Sequence, residues 1–299
     1  MLSKPLHIFS PAWGQKHIAL MRSALGRSFH WPRNYDVVEN AKWHLVSTPE
    51  DAAAVLALAR EILPSATIDI LVDPRLTQFD NPGYALALAV MKAMDACLAD
   101  NAPLLMATPD FVYGNGTIRT MMDIADRPGT VAGMAHIRVL PTFLSTLGDE
   151  PLTNANLMHR AFAHSHLTWR DVQCGADPTM TYHCGVSWKW IGCGLAAVQH
   201  HMPSPFLVNF LPSDRELWQN KGEPGFGFWD HDWPTYLLRD QRMRWIGSSD
   251  AAFMAEVTDP LANLGKLLPR NPVDPDAFFK DAYHCKIQRQ FVTIFRGEA

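Results

Sequence analysis

The chain lacks a CxxC pair. Its five cysteines, at positions 97, 174, 184, 193 and 285, are scattered, which excludes zinc-ribbon and dithiol redox motifs and reads as reduced thiols in an intracellular protein. There is no apolar run of roughly eighteen residues, and the opening "MLSKPLHIFSPAW" has no long apolar segment ahead of a small-residue cleavage site. A cytoplasmic protein without a membrane span is expected. Neither sign of charge dominates: 26 Lys and Arg against 30 Asp and Glu leave a formal −4, so no electrostatic footprint marks a nucleic acid or an anionic membrane as partner. Also missing are GxGxxG and GxxxxGK[ST] phosphate loops, a GxSxG elbow, an HExxH pair and a DxDxDG loop. Their absence weakens the dinucleotide, P-loop, serine-hydrolase, metalloprotease and calcium-sensor readings.

What is present is an alternation. The 299 residues are 47% hydrophobic and 19% charged, ordinary for a globular protein with a sizeable core. Short apolar runs at 6–10, 42–47, 67–73 and 103–110 read as strands, and they alternate with helix-period segments at 15–25, 49–63 and 83–100. Thr48 is the expected cap and Pro49 the expected first residue of the second helix. This is the pattern of an α/β fold, a mostly parallel sheet flanked by helices. Beyond residue 150 the regularity fades into a helical stretch at 151–169, strands at 206–210 and 243–249, and a Gly-, Pro- and aromatic-rich segment at 219–234. An irregular C-terminal half that completes a cleft is expected.

Open α/β sheets bind ligands at the carboxyl ends of their strands, and several chemistry-bearing residues fall there. Ser10, Pro11 and Trp13 form a strand-to-helix turn that either seats a nucleotide or packs as core. Asp73 and Asp110 each end a strand, placed to touch a ribose or a hard cation, or to act as turn residues. His159, His164 and His166 lie near the end of a helical pattern; positions 164 and 166 share a site only if the helix stops there. Asp230, His231 and Asp232, framed by Trp229 and Trp233, suit a sugar ring or a capping turn. Asp250 is an N-cap for "AAFMAEV" or a carboxylate in the site.

Three blocks, "FSPAWGQKHIALMRSALGRSF", "ATPDFVYGNGTIRTMMDIADRPGTVAGMAHIRV" and "MRWIGSSDAAFMAEVTDP", resemble a GT-A type glycosyltransferase-like family of bacteria and phages. The resemblance implies a Rossmann-like GT-A fold, with 1–140 as the nucleotide-sugar half and 141–299 as the acceptor half of one domain. It implies a sugar moved from a nucleoside-diphosphate donor to a glycan or small-molecule hydroxyl, a modified DNA base being less favoured. Asp110 would hold Mg²⁺ or Mn²⁺, helped by His166 or His231. Ser10, Pro11, Trp13 and Asp73 would line the nucleoside, Arg138 would meet phosphate, and Asp230, Asp232 or Asp250 would do acid-base work. Thr108 stands where the family's first acid lies, Asn115 replaces the aspartate of a Ser-Asp-Gly, and Ser248 replaces the first acid of an Asp-Ser-Asp. Those departures keep open a non-catalytic sugar-nucleotide or carbohydrate-binding protein, alongside a sugar nucleotidyltransferase.

Overall fold

The computed structural model describes residues 5–78, 83–170, 180–181, 186–192, 195–200, 205–220, 233–262, 268–269 and 292–296. Its centre is a seven-stranded sheet in the order β12-β6-β11-β4-β1-β2-β3. The strands are β1 (His7–Pro11), β2 (Lys42–Ser47), β3 (Thr67–Val72), β4 (Leu104–Met106), β6 (Val131–Met134), β11 (Pro205–Val208) and β12 (Met243–Ile246). Neighbours β3, β2, β1 and β4 are parallel, as are β6 and β12; β11 runs antiparallel to both β4 and β6. Six of the seven strands therefore point the same way. Two of them, β11 and β12, come from beyond residue 140, at the strands expected at 206–210 and 243–249, and they extend the sheet of the first half.

Alternate residues of the inner strands feed two separate cores, as a sheet covered on both faces requires. Ile8, Leu45, Leu105 and Leu207 pack on one side with Leu25, Phe29, Val55, Leu58 and Ile62. Phe9, Val46, Leu104, Met106 and Val208 pack on the other with Ala85, Ala89, Val90, Ala93 and Cys97. The first layer comes from α1 (Gly14–Leu20), a π-helical segment (Met21–Gly26), α2 (Arg27–Phe29), α3 (Pro32–Val38) and α4 (Ala52–Ile62). The second is α6 (Gly83–Asp100), with the short α5 (Arg75–Gln78), α10 (Pro212–Asn220) and α11 (Trp233–Arg239). Small residues along α6 let it lie close to the strands. Burial pushes the Cys97 thiol well above its ordinary range, an inert core group.

A three-stranded sheet beside the first has the order β5-β13-β7, from β5 (Phe111–Tyr113), β7 (Ile137–Val139) and β13 (Met254–Val257). Helices α7 (Thr117–Ile124), α8 (Asn154–Ala163) and α9 (Leu167–Arg170) and a 3₁₀ turn (Pro141–Thr146) surround it. A further sheet, β15-β10-β9, joins β9 (Val186–Gly192), β10 (Leu195–His200) and β15 (Val292–Arg296), and β8 (Met180–Thr181) pairs with β14 (Leu268–Pro269).

Several boundaries differ from the sequence expectation, among them the strand expected at 243–249, which ends at Ile246. The helix from residue 15 is α-helical only to Leu20 and then widens into the π segment. The second helix starts at Ala52 rather than Pro49, because Thr48 closes a turn in which its carbonyl accepts from the Ala52 N–H at 3.0 Å. The fourth strand ends at Met106, since Phe111 N–H bonds back to Thr108 and turns the chain. The helix at 151–169 breaks at His164.

At the amino edge of β1 and β2, His7 Nε2 lies 3.0 Å from Asp100 Oδ2 and His7 Nδ1 lies 2.9 Å from His44 Nε2. Asp100 is an acceptor, so neutral His7 carries its proton on Nε2 and accepts at Nδ1 from His44. Lys42 Nζ, 2.5 Å from Asp100 Oδ2, and Asp69, 3.9 Å from His44, complete the cluster. Burial lowers both imidazoles, His44 to about 4; Asp100 counteracts this at His7. A histidine with a lowered folded pKa binds its proton more readily when unfolded, so its stability contribution is full above about pH 6.5 and is lost as pH falls toward 4. Urea midpoints measured at pH 7 and pH 4.5 should reveal a loss of up to about 3 kcal/mol, and His44→Phe should flatten that part of the profile. An unchanged profile would show that the histidine pair is not the acid-sensitive element.

Candidate functional site

Six parallel strands end at one edge of the large sheet. The strand order turns there: from β1 the chain steps to β2 and β3 on one side and to β4 on the other. Such a reversal leaves a crevice between the loops that follow the two central strands, because their connections depart to opposite faces.

One wall is the turn after β1. Trp13 is extended (φ −153, ψ 158) and opens α1, while Gly14 takes a left-handed φ of +75 that a side chain would strain. The Gly14 N–H donates to Asp51 Oδ2 at 2.6 Å, so a carboxylate already occupies the helix terminus. One turn on, His17 Nδ1 bonds the Trp13 carbonyl at 2.9 Å.

The other wall is Thr108-Pro109-Asp110 after β4. The Asp110 carbonyl accepts from Val257 N–H at 2.8 Å, tying this turn to β13. Burial and the neighbouring Glu256 charge raise the Asp110 carboxyl above its ordinary range, against the opposing pull of the Thr108 hydroxyl, its own backbone and His17. Glu256 itself lies on β13 in register with Phe111 on one side and Arg138 on the other. Its Oε2 accepts from His136 Nε2 and Arg138 Nε, each at 3.1 Å, and its Oε1 from the Thr258 hydroxyl at 3.3 Å. Burial alone would raise this carboxyl, but the Arg138 charge and the His136 contacts outweigh it and bring it down to about 2. Two neighbouring acids are thus driven apart: Glu256 stays ionised and Asp110 resists ionisation.

The remaining expected site residues fall in different places. Ser10 is fully buried, its hydroxyl donating to Ala107 O at 2.5 Å and accepting from Trp43 Nε1 at 2.9 Å, a bond chain within the sheet. Pro11 is the last residue of β1. Asp73 binds Arg75 as a fork, Nε at 2.9 Å and Nη2 at 2.5 Å, which lowers its carboxyl. His166 is buried with Nδ1 2.8 Å from Thr168 Oγ1 and Nε2 3.0 Å from Asp259 O. The helix does stop at His164, but that ring meets Thr142 Oγ1 instead, at 3.0 Å. Asp250 caps no helix, since the chain goes on into β13; it is exposed, 3.6 Å from Arg296. Asp230, His231 and Asp232 lie outside the described residues.

Sequence reasoning missed Glu256, His136 and His17. A signal existed for the first: a lone acid inside the apolar "AAFMAEV" matches a lone Arg inside "AHIRVL", and buried charges occur in pairs.

No family model matches the chain, and no curated protein does either. Among solved structures, 4-diphosphocytidyl-2C-methyl-D-erythritol synthase aligns over 47% of this chain and 61% of its own, at 15% identity and a TM-score of 0.32. Mouse xyloside xylosyltransferase 1 in its apo form aligns over 48% and 55%, at 15% and 0.31. Mannose-6-phosphate isomerase from Helicobacter pylori aligns over 73% and 66%, at 12% and 0.32. This chain thus spans less than two thirds of the first two, and the crevice is read from its own geometry.

Replacing Glu256 by Gln leaves Arg138 and His136 beside a neutral partner in a half-buried site. We expect a loss of about 3 kcal/mol in urea unfolding, with Glu256→Gln/Arg138→Met costing less than the sum of the single changes. Strict additivity would refute the ion cluster.

Proposed function

We propose that the chain is a transferase that binds a nucleoside-diphosphate sugar in the crevice between the loops after β1 and β4 and passes the sugar to an acceptor hydroxyl. The observation that carries this reading is the place of Asp110: at the carboxyl end of β4, beside β1, where the strand order reverses. The three-block resemblance to GT-A type glycosyltransferases leads to the same residue. Trp13 and Pro11 offer a nucleoside an aromatic and a rigid wall. Arg138, oriented by Glu256, supplies positive charge toward the diphosphate.

Among the described residues no group of three or more His, Cys, Asp or Glu is arranged to hold a metal ion. Glu256 is bound to Arg138 and His136, and both ring nitrogens of His166 are engaged, so among the described residues Asp110 is the carboxylate offered to Mg²⁺ or Mn²⁺. One carboxylate completed by substrate phosphates and water fits how Mg²⁺ is commonly held. The cation would neutralise charge on the departing diphosphate. Asp230, Asp232 and the exposed Asp250 are the proposed bases for the acceptor hydroxyl. The acceptor is a glycan or small molecule in preference to a DNA base, given the acidic balance of the chain.

The same residue ties function to stability. A carboxyl raised by burial and by Glu256 costs stability once ionised, so Asp110→Asn should leave the apo protein as stable at pH 7, or about 1 kcal/mol more so. Thermal unfolding with nucleoside diphosphates and nucleotide sugars, with and without Mn²⁺, tests the reading. One base should stabilise the wild type by about 2.7 kcal/mol at a hundred times its Kd, and Asp110→Asn should abolish the metal-dependent part and cut turnover about a hundredfold. Stabilisation without turnover would identify a binding protein; release of pyrophosphate when a nucleoside triphosphate and a sugar phosphate are supplied would identify a nucleotidyltransferase. No stabilisation by any nucleotide would end the proposal.

A further inference from the structure

A cavity of about 310 Å³ opens far from the crevice, lined by Arg22, Arg27, His30, Trp31, Glu61 and Asp149 among others. Helix α4 begins beyond the carboxyl end of β2 and finishes before the amino end of β3, so Glu61, in its last turn, lies at the opposite edge of the sheet from Asp110. The cavity owes its lining to the π-helical segment. A turn closed by i to i+5 bonds brings Arg22 and Arg27 round to one side, which an α-helix would not do, and such segments recur at functional sites. Gly26 permits the close approach to α4: a Cβ there would sit 3.0 Å from two carbons of Ile62.

We propose that this cavity is a second binding site, for one uncharged sugar ring or a comparable polyol. Its volume is at the small end of the range for ligand clefts. Its four ionised groups balance: Arg22 forms a fork with Glu61, and Arg27 is matched by Asp149. An anion would face two carboxylates and a cation two guanidinium groups, whereas a hydroxyl both donates and accepts. Donors and acceptors are in place for it. The Arg27 Nη1 holds the carbonyls of Leu147 at 2.7 Å and Leu144 at 3.4 Å, which fixes the guanidinium and leaves its other nitrogens without a partner among the described residues. His30 Nε2 donates to Ile62 O at 2.8 Å, so the neutral ring accepts at Nδ1. Trp31, otherwise buried, gives the cavity an aromatic wall against which the apolar face of a sugar ring can lie.

Saturation-transfer NMR on the full chain, with a panel of neutral mono- and disaccharides at millimolar concentration, tests the site. At least one sugar should show transfer, and a saturating nucleoside diphosphate should not displace it. Arg27→Lys, which keeps the charge but removes the guanidinium nitrogens that face no protein partner, should weaken binding about tenfold. Asp149→Asn, at an exposed position, should weaken binding without unfolding. Absence of transfer from every sugar, displacement by the nucleotide, or equal binding in both variants would overturn the proposal. None of these outcomes depends on whether the crevice binds a nucleotide sugar.

Discussion

One buried hydrogen-bond chain holds the centre of this molecule together. Trp43 on β2 donates to the Ser10 hydroxyl on β1, which donates to the carbonyl of Ala107 just beyond β4. Three adjacent strands are thereby joined by side chain as well as by backbone, at the level where their loops depart. All three groups are sealed from water, so breaking the chain strands a donor and an acceptor in an apolar core. The spacing of the loops after β1 and β4, and hence the width of the crevice, follows from that connection.

Around this axis the two faces of β1 set the layers. Ile8 enters the core shared with α4 and the π segment, and Phe9 the core shared with α6. A strand buried on both faces has to be apolar throughout, and the polar residues that β1 does carry are each bonded: His7 to Asp100 and His44, Ser10 to Trp43 and Ala107. Charge appears where the sheet ends. There the pair Asp110 and Glu256 shows how neighbouring acids acquire different characters: one is surrounded by cations, while the other has desolvation and a like charge to contend with.

Much of the first half was legible in the sequence because its signals are local. "LHIFS", "KWHLVS" and "TIDILVD" are apolar runs bounded by turn residues, and "GYALALAVMKAMDACLAD" repeats at helical spacing; each formed close to where its pattern put it. The misses have local causes too. Thr48-Pro49 looks like a cap with its first helical residue, yet the turn it closes delays the helix to Ala52. "QKHIALMRSAL" has good helical spacing, and nothing in that spacing distinguishes the α-helix to Leu20 from the π segment after it. In the second half, β11 and β12 formed at the strands expected at 206–210 and 243–249, whereas their places in the sheet beside β4 and β6 are long-range pairings that no local pattern carries.

Local pattern was enough for the alternation of strand and helix, the mostly parallel sheet and a turn carrying Asp110 after the fourth strand, because backbone bonding and side-chain period act over a few residues. The tertiary structure alone decided which groups surround that carboxylate. Glu256 reaches it only because β13 inserts between β5 and β7, and Ser10 turns to internal partners only because Trp43 and Ala107 come within bonding distance. Ionisation and contact depend on charges and dipoles a few ångströms away in space, and separation along the chain does not encode that distance.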